Sequence, residues 1–154
     1  MNNFITRKNP RLAAQDHSDR HCIKMILECA QQLSTALRLN GYGGDWVYMA
    51  THKHHPCTKW VSMNQENFTW VLTLGFALCE EYTFRTGKTH KSESVLVRCD
   101  ILCEKVIPRG KLTVPPKAMK DEYKIGGDNW DDVVKSYRNY YINGKGYMNK
   151  GKGP

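Results

Sequence analysis

The chain has 154 residues, with 23 Lys and Arg against 15 Asp and Glu, for a formal charge of +8. That length suits one domain with a substantial core, and no run of about eighteen apolar residues is present to cross a membrane. The positive balance draws phosphates, on nucleic acid or on a nucleotide, without choosing between them.

Met1 to Lys8 has no apolar stretch ahead of its charges, so no secretory signal is read there. Asn3 to Thr6 reads as a short strand or an extended arm. Asn9-Pro10 is a cap followed by proline at the first helical position, which predicts a short helical turn through Ala14. Asp16 or Ser18 caps a long helix that stops at Asn40-Gly41. Gly41 to Thr51 is a glycine-rich loop, and His55-Pro56 opens a short helix. Asn64 caps a second long helix, Gln65 to Thr86, closed by Gly87. A third helix is expected from about Lys91 to Lys105, and Pro108 to Gly127 is an irregular connection. Asp128 caps a last helix, Trp130 to Asn143, with Trp130, Val134, Tyr137 and Tyr141 on one face. The expected fold is mostly α: a compact single helical domain, 1–143, with two long buried helices and long loops, then a Gly- and Lys-rich tail, 144–154. Cys22, Cys29 and Cys79 fall within apolar helical runs, where reduced cysteine acts as a small hydrophobe; this usage suits the cytosol.

The first long helix is apolar in nearly every direction, with Ile23, Met25, Ile26, Leu27, Cys29, Leu33 and Leu37. Yet His17, His21, Lys24, Glu28, Gln31 and Thr35 follow one another at steps of four, three, four, three and four, which is one line along a helix. Such a line faces either internal polar partners or a ligand cleft. Two basic segments favour the cleft. One contains His52, His54, His55, Lys59 and Trp60, read as a phosphate-contacting loop with an aromatic anchor, or as a merely solvated loop. The other contains Arg85, Lys88, His90 and Lys91 where the second long helix ends; the glycine and strand of a phosphate-binding loop are missing there, and Arg85 with Glu81 is also a plausible surface ion pair. Arg138 lies among Tyr137, Tyr140 and Tyr141 on the last helix, where aromatic faces stack on bases or fill the core. No CxxC or HExxH occurs, so no metal and no cofactor is expected.

His21 and Glu28, seven apart on the first long helix, together with the aromatic run Tyr137-Arg138-Asn139-Tyr140-Tyr141 and the closing Gly/Lys segment, resemble the phage-type pyrimidine-dimer DNA glycosylases. Glu28 with the segments Thr51–Trp60 and Glu81–Ser92 also looks like small uncharacterised phage proteins. The glycosylase resemblance implies that Glu28 is the essential acid and that His21 lines the site. That family attacks the sugar with the α-amine of a small residue exposed when the initiator Met is removed. Here the bulky Asn2 follows Met1, and the arm before His21 is longer. The leading expectation is therefore non-catalytic capture of a phosphate-bearing nucleotide signal by a phage protein, and the rival is a DNA glycosylase and lyase. A helical scaffold with no ligand is the third class.

Overall fold

The computed structural model describes residues 2–146, all helix, turn and loop, with no strand among them. Of the expected Gly/Lys tail, 147–154 lie outside the described residues. The helices are α1 (Pro10–Gln15), α2 (Asp19–Leu39), α3 (Pro56–Ser62), α4 (Gln65–Thr86), α5 (Glu93–Val106) and α6 (Trp130–Asn139), the last continued by a wider π-turn over Tyr140–Gly144.

Local chemistry sets most boundaries. Asn9, Ser18, His55, Asn64 and Asn129 each accept a backbone N–H of the first turn that follows, an orphan donor otherwise left open. Gly87 ends α4 in the left-handed region at φ 73°, where a Cβ is disfavoured. The cap of α6 is Asn129, one residue later than expected, because Asp132 turns back to accept Gly127 N–H at 2.9 Å and Asn129 Nδ2 at 2.8 Å.

Helices α2 and α4 pair through the middle of the domain, with α1, α3 and α5 packed around them. Gly75 makes the convergence of α2, α4 and α5 possible, since a Cβ there would stand 3.1 Å from Leu96 and 3.5 Å from Cys29. Met25, Ile26, Leu33, Leu37, Phe68, Leu74 and Leu78 are fully enclosed. The girdle of α2 is nonetheless incomplete, because Ile23 and Leu27 are exposed on one edge, as is Phe84 near the end of α4. All six cysteines are buried thiols, and burial pushes Cys22, Cys57 and Cys103 up to about 11.

The connection after α5 has no regular structure beyond one 3-10 turn, so its backbone groups need other partners. Side chains of α4 and α6 supply them: Asn64 Nδ2 donates to Lys111 O, Asn67 bonds both the backbone N–H and the hydroxyl of Thr113, and Tyr137 Oη donates to Pro116 O. Pinned this way, the strand-like stretch reaches Ala118, whose carbonyl accepts from Asn2 Nδ2 at 2.7 Å. The N-terminal arm is thus held inside the domain, and Asn3 to Thr6 are buried.

Candidate functional site

The polar line on α2 splits three ways. His17 falls before the Ser18 cap, outside α2, and is sealed in, with its ring 2.8 Å from Ala13 O and its Nε2 buried without a partner. At the far end of the line, Thr35 Oγ1 donates to Gln31 O and accepts from Thr51 N–H, so it ties the glycine-rich loop to the helix. Between them, His21, Lys24 and Glu28 form one wall of a pocket of about 300 Å³. The other walls come from Asn2 and Phe4 of the arm, His55 before α3, Ala118 of the long connection, and Tyr140 and Lys145 after α6. Polar surface outweighs apolar surface in its lining.

Each wall has a local cause. Phe4 adopts φ 45°, a left-handed conformation that costs about 1–2 kcal/mol for a residue with a side chain. Asn2 Oδ1 accepts Phe4 N–H and Phe4 O accepts Thr6 N–H, both at 2.8 Å, which holds this tight turn. Its ring then stacks on His21, centroid to centroid 4.4 Å. Behind His21, Tyr141 Oη lies 3.0 Å from Nδ1 and accepts Ser18 N–H at 2.6 Å. Lys24 Nζ stands 3.7 Å from Glu28 Oε1, one turn along the helix. His55 Nδ1 accepts Cys57 N–H at 3.1 Å as the cap of α3.

The electrostatics favour uncharged imidazoles. Burial, reinforced by coulombic repulsion from His17, Lys145 and Lys24 against a second positive charge, lowers His21 to about 4. Burial likewise lowers His17 to about 4, against a smaller opposing effect of its bond to Ala13. His55 is lowered too, again mainly by burial. At neutral pH the pocket therefore presents two ammonium groups, uncharged rings and the carboxylate of Glu28.

Several residues expected at the site lie elsewhere. Trp60 is mostly buried, donates Nε1–H to Thr113 Oγ1, and borders the groove beside Pro115 and Pro116 instead of this pocket. Lys59 lines a separate, mostly apolar groove beside Pro115 and Pro116. Arg85 is a structural clamp: it bonds Glu81, Asp19 and the carbonyl of His17, whose partners neutralise it. His90 is engaged on both nitrogens, by Ser92 N–H and Ile23 O. His52, His54, Lys88 and Lys91 are at the surface or its edge and line no part of the pocket. Arg138 donates to Thr6 O and helps secure the arm from its other side. The basic loop therefore contributes only His55, and the Arg85–Lys91 turn packs against the opposite flank of α2. Among the described residues no group of three or more His, Cys, Asp or Glu is placed to hold a metal ion, and no helix is long and apolar enough to cross a membrane.

Asn2, Phe4 and Lys145 carried no signal in the sequence that would place them here, whereas Tyr140 was one of the aromatics read on the last helix. A comparison with known proteins finds no family model, no curated protein and no solved structure that matches this chain.

Proposed function

We propose that the protein binds a phosphate-bearing nucleotide unit in this pocket. The observation that carries the reading is the convergence of Lys24, Lys145, His21 and His55, from three distant segments, on one open cavity. Cationic donors around a cavity of this size suit one nucleotide, with Tyr140 as an aromatic wall for a base or sugar. Six buried, unpaired thiols fit a reducing cytosolic setting. Calorimetric titration with a panel of nucleoside mono- and diphosphates, dinucleotides and short DNA tests the reading. At least one member binds, and binding weakens in Lys24→Ala and Lys145→Ala. A panel without a binder, or binding indifferent to both changes, rejects it. Ligand recovered unchanged after heat release marks capture of a nucleotide signal.

One observation favours a catalytic version on DNA. The N-terminal arm, through Asn2, enters the same pocket as Glu28, the only carboxylate among its lining residues. A lyase joins an amine to the opened sugar as a Schiff base, with a carboxylate as acid or electrostatic partner. Borohydride trapping on duplex containing a thymine dimer or an abasic site separates the two. An adduct lost in Glu28→Gln establishes the glycosylase-type reaction, and no adduct leaves capture standing.

A further inference from the structure

We infer that His21 and His55 act together as a pair of preset Nε2–H donors for one phosphate group of the ligand, with Tyr141 as the positioning residue for His21. The inference rests on the nucleotide reading above and adds which atoms grip the phosphate and how they are prepared.

Tyr141 Oη carries a single proton. It accepts Ser18 N–H at 2.6 Å, the Ser18 hydroxyl is a second hydrogen-bonding neighbour, and His21 Nδ1 lies at 3.0 Å. The Ser18 hydroxyl has a proton of its own to give to Oη, so the Tyr141 proton is assigned to Nδ1, which is then the lone-pair nitrogen, with the ring proton on Nε2. Nε2 has no hydrogen-bond partner among the described residues, yet it is not one of the sealed, unsatisfied atoms, and the ring lines the pocket. His55 reaches the same state by an unrelated route. Its Nδ1 accepts Cys57 N–H as the helix cap, so its proton also sits on Nε2, and its ring lines the same pocket.

Both rings are held by contacts on the side away from the ligand, so their donors are oriented before it arrives. Burial keeps them uncharged at pH 7. Lys24 and Lys145 supply the charge that attracts a phosphate, and the imidazoles supply direction. Lys24 at 3.7 Å also offsets Glu28. His90 provides an internal contrast: its Nδ1 accepts Ser92 N–H in the same manner, but its Nε2–H is already given to Ile23 O. Of these three rings, His21 and His55 keep that donor for something else.

Gln and Asn separate the two ring positions, because a Gln amide reaches the place of Nε2 and an Asn amide the place of Nδ1. The probe is a deoxydinucleotide with one phosphodiester. His55→Asn keeps a good cap for α3 but removes the pocket donor, and affinity falls about tenfold. His21→Asn falls by a similar factor, while His21→Gln stays within about threefold of the wild type. Long-range ¹H–¹⁵N spectra of the free wild-type protein show both rings as Nε2–H tautomers at pH 7, and Tyr141→Phe redistributes the His21 tautomer and weakens the probe. Equal losses in His21→Gln and His21→Asn, an unchanged affinity in His55→Asn, or an Nδ1–H ring or imidazolium in the wild type each overturn the inference while leaving the nucleotide reading intact. A wild type that binds nothing in the nucleotide panel overturns both.

Discussion

Two polar, cation-bearing regions flank the first half of α2, and they differ in what their atoms already hold. On one flank, Arg85 is bonded to Glu81, Asp19 and His17 O, and His90 to Ile23 O. On the other, Lys24, Lys145, His21 and His55 line a cavity whose one carboxylate, Glu28, stands 3.7 Å from Lys24 Nζ, and the two imidazole Nε2 atoms have no hydrogen-bond partner among the described residues. The first region uses its polarity to tie α4 and the following turn to α2 and to the chain entering it. The second holds its rings from behind and leaves their outer edges open. Density of cations is common to both, so density alone does not identify a site; unused, pre-oriented donors do.

The comparison breaks most readily under acid. His17 belongs to the internal network, and its folded value of about 4 lies below the 6.5 of an unperturbed imidazole. Between those values the unfolded chain takes up a proton that the native state refuses, so stability is full above about pH 6.5 and falls as pH drops toward 4. His17 alone contributes a loss of about 3 kcal/mol. Urea midpoints measured from pH 7.5 to 4 read this directly; a flat profile would show that His17 is charged or solvated in the native protein.

The clamp is next in size. Arg85→Ala strands two carboxylates and a carbonyl that are partly shielded from water, and is expected to cost about 2 kcal/mol of stability. Binding of any nucleotide found in the panel should survive. Loss of affinity in a variant of unchanged stability would move the site to the other flank of α2.

In the pocket the balance reverses. Lys24→Ala or Lys145→Ala should weaken nucleotide binding by about 1–2 kcal/mol and alter stability by no more than about 0.5 kcal/mol. Calorimetry paired with denaturation separates the two quantities, and a stability loss without an affinity loss contradicts the assignment. The smallest effect belongs to Lys88, which is exposed. Lys88→Ala is expected to change both quantities by less than about 0.5 kcal/mol, and a larger fall in affinity would extend the binding surface toward that turn.

The helices were legible because their signals are local. Asn9-Pro10, Ser18, Asn64 and Gly87 act within one helical turn of themselves, and the observed boundaries follow them. Within the pocket, His21, Lys24 and Glu28 were legible for the same reason, since helical periodicity alone puts them on one line. The periodicity went too far at both ends: His17 precedes the Ser18 cap and is not on the helix, and Thr35 is covered by the loop whose Thr51 N–H it accepts. His55 was visible only as one member of a basic loop whose other cations turn out to face solvent.

The sequence by itself determined the helical class, most caps, the reduced state expected of the cysteines and the cationic character, since these depend on composition and on neighbours a few residues away. Tertiary structure alone decided which cations are spent and which remain open. Asn2 meets Ala118 and His21 meets Tyr141 across more than a hundred residues, so closure of the pocket depends on the path of the long connection and on the last helix docking against the arm. The same packing removes water from both rings and brings Tyr141 to His21, an effect of the enclosure that the imidazole does not carry on its own, whereas the His55 ring is oriented locally by the cap of α3.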